Sequence, residues 1–176
     1  MPAPQLDQAI LLSILHYDPD TGIFTWRHRH GASQRWNTRY AGKVAGFDWK
    51  CGPNVVYRSI RIFDWPFLGH RLAVLYMTGE WPVSGIDHRD LDGLNNRWGN
   101  LRPANKSQNG ANTRSPNTNT SGFKGVSLDR KTGRYRAYIK NHNRQIWLGY
   151  HDTPEAAHAA YMTAATALRG DYARSE

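Results

Sequence analysis

The residue types best suited to chemistry lie in the segment 86–102. Asp87 and His88 are adjacent, and several asparagines follow them along the chain. A neutral imidazole can take a proton from water near pH 7. A carboxylate and an amide carbonyl are hard oxygen ligands that suit Mg²⁺ or Mn²⁺ better than zinc. Together these groups have the chemistry needed to hydrolyse a phosphodiester, since the metal would shield the phosphate and stabilise the departing 3′ oxygen.

A small hairpin is predicted to carry the aspartate and the histidine. Asp92-Gly93 is a turn signal between two short runs, Val83–His88 and Trp98–Arg102. Successive residues of a regular strand point to opposite faces. Asp87 and His88 can therefore share one site only where the strand ends or bends.

A helix is predicted to follow the hairpin from Pro103, because proline is favoured at the first helical position, where its missing N–H does no harm. Asn105, Asn109 and Asn112 then fall at spacings that place them on one helix face. The hairpin and the helix together would bring Asp87, His88 and one of these asparagines into one site.

Other readings of these residues stay open at this point. The acids around Asp92-Gly93 resemble a calcium loop, although His88 stands where that loop needs an acid and Gly99 where it needs a bidentate Glu. The segment also fits a solvated turn with an ordinary surface histidine. His28 and His30 form a second possible metal pair, without a third ligand nearby in sequence.

The spacing of the chemical residues resembles the HNH nuclease motif. Asn100 lies twelve residues after His88 and Asn109 twenty-one after it. This pattern is similar to the phage and intron HNH homing endonucleases in which the last His is replaced by Asn. The matching text also includes Tyr17–Trp26, His70–Ala73, Gly79–Pro82, Asn95–Trp98 and Asn100–Arg102.

The resemblance implies an α+β fold, with a β-rich N-terminal region and a ββα-metal (His-Me finger) unit centred on 83–112. The resemblance implies that His88 is the general base and that Asp87 and Asn109 bind one divalent cation, Mg²⁺ or Mn²⁺. It assigns Asn100 to bracing the loop and orienting His88. We further expect Arg97 and Arg102 to contact DNA.

The C-terminal segment is predicted to form three strands, Phe123–Leu128, Arg134–Lys140 and Gln145–His151, followed by an Ala-rich helix that Pro154 opens and Gly170 stops. Alternation places Tyr135, Ala137, Ile139, Ile146 and Leu148 on an inner face. The outer face is basic and aromatic, which suits a DNA groove. A solvated basic face is the simpler alternative.

This segment resembles the plant ethylene-response-factor (APETALA-type) DNA-binding domain. The similarity is carried by Phe123–Val126, Gly133–Ile139, Trp147–Tyr150 and Glu155–Ala157. It implies a three-stranded antiparallel sheet packed on one helix and reading the major groove. Carried over by position, the DNA face comprises Lys124, Ser127, Arg134, Arg136, Tyr138, Lys140, Gln145 and Trp147. Plant members place Arg where this chain has Ser127, Asp129 and Gln145, so their target sequence does not transfer.

A polar tract joins the two resembling regions. Eight asparagines lie between positions 95 and 119, and the tract ends in Arg114–Ser121. We expect a nuclease domain over 1–109, an extended linker over 110–121 and a DNA-binding domain over 122–176. At about 3.3 Å per residue the linker spans on the order of 40 Å. It would lie along DNA, with Arg114 at a phosphate or in the minor groove.

Composition agrees with a nucleic-acid partner. The chain of 176 residues carries a net charge of +9, and 124–144 holds seven bases and one acid. Cys51 is the single cysteine, which excludes an intrachain disulfide or a cysteine-based zinc site.

We expect a cytoplasmic protein, in the host cell of a phage, with no membrane or small-molecule partner. It would be a monomer or homodimer that nicks or cuts double-stranded DNA. A non-catalytic DNA-binding regulator with a degenerate HNH fold, or an RNA-binding module, are the alternatives.

Overall fold

The computed structural model describes residues 6–53, 55–113, 119–141 and 144–175. The chain divides into two units, Met1–Ala104 and Asn105–Glu176. Arg114, to which the sequence assigned a DNA contact, lies outside the described residues, as do the next four residues, 115–118. No helix in the described part of the chain is long and apolar enough to cross a membrane.

The first unit consists of short antiparallel sheets with three helices. Its elements are α1 (Gln8–Ile14), β1 (Leu15–Asp18), β2 (Ile23–Trp26), α2 (Gln34–Tyr40), β3 (Phe47–Gly52), β4 (Val55–Ile62), β5 (Trp65–Leu68), α3 (Gly69–Thr78), β6 (Gly85–His88), a 3₁₀ turn (Trp98–Asn100) and β7 (Leu101–Ala104). The strands pair as β1-β2, β3-β4-β5 and β6-β7. Val44 forms an isolated bridge with Thr25, and Gly46, at φ 86°, separates it from β3.

A single apolar core holds this unit together. Helix α1 contributes Leu11 and Ile14, and α3 contributes Leu72 and Leu75. These spacings place each pair on one helical face. Tyr17 of β1 stacks on Phe24 of β2 with ring centroids 4.6 Å apart. The buried residues of this core are mostly leucines and isoleucines, and the stacked Tyr17 and Phe24 rings are packed among them.

The predicted hairpin around Asp92-Gly93 is confirmed, with Asp87 opposite Arg102 and His88 opposite Leu101. The prediction that Pro103 begins a helix was wrong. Pro103 lies in β7 opposite Ile86, and the two-stranded sheet leaves a strand edge on which the missing N–H is tolerated.

Helix α4 (Lys106–Ala111) begins three residues later, in the second unit. The side chains of Asn105 and Gln108 form a capping box that satisfies the first N–H groups of the helix. Asn105 is therefore the N-cap and Asn112 the C-cap, and only Asn109 is a helical residue. The predicted face of three asparagines does not form.

The remainder of the second unit is a sheet and a helix. Its elements are β8 (Val126–Leu128), β9 (Tyr135–Asn141), β10 (Arg144–His151), α5 (Pro154–Arg169) and a 3₁₀ turn (Gly170–Tyr172), with the strand order β10-β9-β8. Pro154 occupies the first turn of α5, as predicted, and the Thr153 side chain caps the helix. The predicted α+β class, with this three-stranded antiparallel sheet and one helix, is confirmed.

The core of this sheet-helix layer is narrow. Ala157, Tyr161 and Ala165 recur at every fourth residue of α5 and are buried, which places them under the inner residues Ala137 and Ile139. Gly125 has φ 74° and lies against the Tyr161 ring, where a Cβ atom would not fit. Small residues on the helix therefore let it approach the sheet closely.

Candidate functional site

Asp87 and His88 are the last two residues of strand β6, which ends at His88. They lie at a strand end, the position required if adjacent residues are to share a site. Both side chains are buried, with 5% of Asp87 and 6% of His88 exposed. Two polar groups buried this deeply need specific partners.

Arg102 of β7 is the partner of Asp87. Its Nε and Nη2 each lie 2.7 Å from Asp87 Oδ2. Arg102 is itself only 7% exposed, so the pair is a buried, charge-assisted interaction. The sequence assigned Arg102 to DNA, whereas the structure places it below the surface, bonded to the carboxylate. Arg97, assigned in the same way, is exposed.

Asn96 is the partner of His88. The Nε2 of His88 lies 3.1 Å from Asn96 Oδ1, and the amide nitrogen of Asn96 donates to the Leu94 carbonyl. Because an amide oxygen only accepts, Nε2 carries the proton of the neutral ring. Nδ1 is then the basic nitrogen, the one able to accept a proton.

Contacts from distant parts of the unit fix Asn96 in place. The Tyr17 hydroxyl donates to the Asn96 carbonyl over 2.7 Å, within the core. Gly22 and Gly69 both pack against Asn96 so closely that an added Cβ would press on it. Asn96 is 2% exposed. The sequence placed Asn96 within a matching segment and gave it no role. Its hydrogen bond to His88, together with its burial and its packing against two glycines, reveals one.

Asn100 ties together the loop between β6 and β7. Its side-chain nitrogen donates to Asp90 Oδ1 (2.9 Å) and to the Asn95 carbonyl (2.7 Å), and its oxygen accepts from the Asp90 N–H. No described hydrogen bond joins Asn100 to His88; the bond that orients this imidazole comes from Asn96.

Asp90 is the second residue whose side chain holds this loop together by hydrogen bonds. It accepts from the Asn95 side chain over 2.6 Å and from the Asp92 N–H over 2.9 Å. Burial raises the pKa of Asp90, but these hydrogen bonds, that of Asn100 and the nearby His88 bring it below its ordinary value. The carboxylate form is therefore the one that holds the loop.

His70 and Tyr57 pack against His88. The rings of His70 and His88 meet edge to face with centroids 5.2 Å apart, and Tyr57 lies 5.1 Å from His70 and 6.0 Å from His88. Burial, with His88 and Arg71 nearby, lowers the pKa of His70 to about 3. His70 is therefore neutral at pH 7. It stood in a matching segment, but its role in packing the site was not foreseen.

The donor set suits a hard divalent cation more than zinc. Within the described ranges no group of three or more His, Cys, Asp or Glu is arranged to hold a metal. Asp87 offers carboxylate oxygen, the ligand that Mg²⁺ and Mn²⁺ prefer. Asn109, the other expected ligand, lies half-buried on α4 of the second unit. His28 and His30 are neighbours, with ring centroids 5.3 Å apart.

The second unit presents a polar sheet face opposite α5. Register pairs Lys140 with Gln145, Tyr138 with Trp147, and Arg136 with both Ser127 and Tyr150. Trp147 is 51% exposed. The predicted outer residues of β9 and β10 therefore share one face, which we call the outer sheet face: Ser127, Arg136, Tyr138, Lys140, Gln145, Trp147 and Tyr150.

A bulge at Leu148 adds Tyr150 to this face. The register shifts between Trp147 and Gly149, and Leu148 packs into the core. Strict alternation would have placed Tyr150 inside, so the sequence missed it. Ile146, predicted inside, faces the buried Ile139 but keeps 38% exposure.

Two predicted DNA contacts have partners within the protein. Arg134 Nε lies 2.9 Å from Asp152 Oδ1 in an exposed ion pair. The Lys124 ammonium donates to the carbonyls of Ala111 and Thr113. Burial, with Arg169 and Arg174 nearby, lowers the pKa of Lys124 to about 8. Lys124 is thus a structural lysine in this state.

The Tyr150 hydroxyl donates to Asp129 Oδ2 over 2.9 Å. This bond lowers the pKa of the Asp129 carboxyl and raises that of the Tyr150 phenol. Asp129 stands where plant members of the resembling family place Arg. The Asp129 carboxylate is therefore hydrogen-bonded to Tyr150 of the outer sheet face.

Comparison with protein families identifies both regions. Residues 68–111 match the HNH endonuclease family and residues 121–171 match the AP2 domain. The chain is 34% identical over 89 residues to Protein 3.8 of Escherichia phage T7, which covers 51% of this chain and 73% of that protein.

Plant proteins match as well. The chain is 38% identical over 69 residues to the AP2-like ethylene-responsive transcription factor TOE2 of Arabidopsis thaliana, covering 39% of this chain and 13% of that protein. It is 46% identical over 54 residues to the ethylene-responsive transcription factor ERF010 of the same plant, covering 30% and 29%. These matches span a minor part of each plant protein. No solved structure matches the chain.

Proposed function

Because the chain belongs to the HNH endonuclease family and joins its nuclease domain to an AP2 domain, we propose that it is a site-specific DNA endonuclease of the homing type. Its reaction is hydrolysis of phosphodiester bonds in double-stranded DNA. The observation that carries this proposal is the burial of Asp87 and His88 at the end of β6, each with a bonded partner, inside the segment that matches the nuclease family.

His88 acts as the general base of the proposed reaction. Its Nε2–H is held by Asn96 Oδ1, so the lone pair of Nδ1 receives the proton of the attacking water. The Asn96 bond persists in the imidazolium, which keeps the ring in the same orientation before and after proton transfer. Asn100 contributes by holding the loop that carries Asn96.

Asp87 and Asn109 are the proposed ligands of Mg²⁺ or Mn²⁺. When bound, the cation would shield the phosphate and stabilise the departing 3′ oxygen. Two protein ligands bind such an ion weakly, so substrate phosphate would complete the site. Arg102 neutralises Asp87 before the cation arrives, which removes the penalty of an isolated buried carboxylate.

The outer sheet face is the proposed reader of the DNA major groove. Arg136, Lys140 and Gln145 can donate to base edges or phosphates, and Trp147 offers a flat apolar surface. Further proposed DNA contacts are Arg134, Lys124 and Arg97. The first two would exchange their present hydrogen-bond partners for DNA.

We retain the proposed division into domains at 1–109 and 122–176, with Arg114 of the linker at a phosphate or in the minor groove.

Cleavage of a supercoiled plasmid that carries the DNA flanking the protein's own gene tests this function. With Mg²⁺ or Mn²⁺, wild type should nick or linearise the plasmid, and His88→Ala should abolish the activity. His16→Ala, which removes an exposed histidine of β1, is the matched control and should cleave normally. If wild type cuts no such DNA, the enzyme proposal fails.

A second candidate is a DNA-binding regulator without catalysis. The identity to plant transcription factors over the second unit favours it. The regulator would bind its site with full affinity in both wild type and His88→Ala while cutting neither strand.

If wild type does cleave, sequencing the cut ends distinguishes nicking by a monomer from double-strand cleavage by a dimer.

A further inference from the structure

A cleft rich in aromatic side chains lies in the first unit, lined by residues outside the segment of Asp87 and His88. Its volume is about 630 Å³, within the range of roughly 300–1,000 Å³ typical of sites that hold a small organic group. The lining includes five aromatic residues and two arginines, Arg29 and Arg61. We call it the aromatic–arginine cleft; its rings are Trp26, Trp36, Tyr40, Phe47 and Phe63.

The rings of the cleft fall into two groups. Trp26, Trp36 and Tyr40 pack on one another, with Trp36 centroids 5.6 Å from Trp26 and 5.2 Å from Tyr40. Phe47 and Phe63 remain 49% and 47% exposed. The first group builds the cleft, and the second presents apolar ring surface to solvent.

Phe63 is held in a strained backbone conformation. It joins β4 to β5 in a two-residue turn with Asp64, and both residues have positive φ, 50° and 66°. Such turns favour Asn and Gly because a bulky side chain is unfavourable there. Strain of this kind persists mainly where it serves a site. Turn formation alone therefore does not account for a phenylalanine at this position.

Arg29 is fixed at the cleft by its backbone. The buried Asn37 side chain accepts from the Arg29 N–H and donates to the Arg29 carbonyl, both over 2.9 Å. The guanidinium lies 5.0 Å from the Trp36 ring centre and 5.9 Å from that of Phe63. A cation is thereby positioned between a ring that builds the cleft and one that faces solvent.

The surrounding sequence is cationic. The segment 21–47 contains five Lys or Arg and no Asp or Glu, and it supplies most of the cleft lining. Asp64 is the one acid of the lining, against two arginines. Exposed rings combined with fixed cations are the combination that binds nucleotides by stacking on the base and neutralising the phosphate.

We infer that the aromatic–arginine cleft binds an unstacked nucleotide of DNA, with its base against Phe63 and its phosphate at Arg29 or Arg61. The inference rests on the proposed function, because it takes DNA as the ligand. The aromatic–arginine cleft would be a third DNA contact, besides the nuclease site and the outer sheet face. This contact would favour DNA in which one strand is separated from the duplex.

The test measures binding of a short fluorescein-labelled oligothymidylate by anisotropy, with EDTA present to prevent cleavage. The full-length protein carries Arg136→Ala and Lys140→Ala throughout, so that the outer sheet face contributes little. Phe63→Asn should weaken binding by about 5- to 100-fold, the range for loss of one stacked base. Its thermal midpoint should stay equal or rise, since Asn tolerates positive φ. Trp49→Asn, at an exposed ring that does not line the cleft, should bind as the parent does.

A second variant tests the phosphate contact. Arg29→Met or Arg61→Met should reduce the slope of log affinity against log salt by about one. An unchanged slope in both variants contradicts the phosphate contact. Unchanged affinity in Phe63→Asn, or tighter binding of oligouridylate than of oligothymidylate, overturns the inference. These binding outcomes are independent of plasmid cleavage: loss of affinity without any cleavage by wild type would sink the nuclease proposal alone, whereas cleavage with unchanged affinity would sink this inference alone.

Discussion

His88 and Asn96 share a buried hydrogen bond, with Nε2 of the imidazole 3.1 Å from Oδ1 of the amide. The two residues are eight positions apart, at opposite ends of the loop that Asp90 and Asn100 tie together. The bond selects the tautomer in which Nδ1 is basic. The base of the proposed reaction is therefore set by a residue that Tyr17, Gly22 and Gly69 hold from outside the hairpin.

Replacing Asn96 should damage catalysis more than DNA binding. In Asn96→Ala the imidazole loses its orienting acceptor, and plasmid nicking under single turnover should slow by about 100-fold or more, within the range of roughly 10²–10⁴ for a positioned general base. In Asn96→Asp, the carboxylate can still accept from the Nε2–H of His88, so this variant should recover much of the rate. A normal nicking rate in Asn96→Ala, or no recovery in Asn96→Asp, would exclude Asn96 from positioning the base.

Breaking the buried ion pair should destabilise the first unit strongly. Arg102→Met leaves the Asp87 carboxylate buried without its guanidinium, a change that typically lowers the free energy of unfolding by about 3–5 kcal/mol. The double variant Asp87→Asn with Arg102→Met should recover part of that loss. Urea unfolding measures both. Arg58→Ala is the control, because its pair with Asp48 is partly exposed, at 31% and 55% of the two side chains, and surface pairs contribute less than about 1 kcal/mol.

The first unit should lose stability in acid because of His70. Burial lowers its folded pKa to about 3, whereas an unfolded histidine titrates near 6.5. The unfolded chain therefore binds the proton first as pH falls. The stability linked to His70 is complete above about pH 6.5 and is lost progressively toward pH 3, by up to about 4–5 kcal/mol. Thermal unfolding should show a flatter pH dependence in His70→Phe, and the wild-type dependence in His16→Phe. Equal curves for all three proteins would contradict this assignment.

Arg136 at the centre of the outer sheet face should contribute to affinity for duplex DNA. Arg136→Ala should weaken binding to the native site and, if the guanidinium meets a phosphate, reduce the salt slope by about one. If it reads a base edge instead, the loss should be larger on the native site than on unrelated duplex, by about 1–3 kcal/mol. Thr163→Ala, on the exposed side of α5, should bind as wild type in the same titration. Equal affinity of both variants would remove Arg136 from the DNA-binding face.

Short-range pattern determined much of the architecture. Alternation along 134–140 placed the inner and outer residues of β9, and the turn signal at Asp92-Gly93 marked the β6–β7 hairpin. Residue spacing also carried both family resemblances, which the family comparisons confirm. Such features are readable because a strand repeats every two residues and a turn is set by its own few residues.

Tertiary structure decided which residues pair and hydrogen-bond with the side chains of the candidate site. Pro103 lies in a strand because Ile86 pairs with it, and a bulge at Leu148 turns Tyr150 to the outer face. Arg102 is buried against Asp87, and Asn96 is held by Tyr17 from 79 positions away. Hydrogen bonds and close approaches between residues far apart in sequence leave no periodic trace in the chain. The sequence alone could therefore indicate His88 as the proposed base and Asp87 beside it, but only the packed fold determined that Asn96 orients the imidazole and Arg102 neutralises the carboxylate.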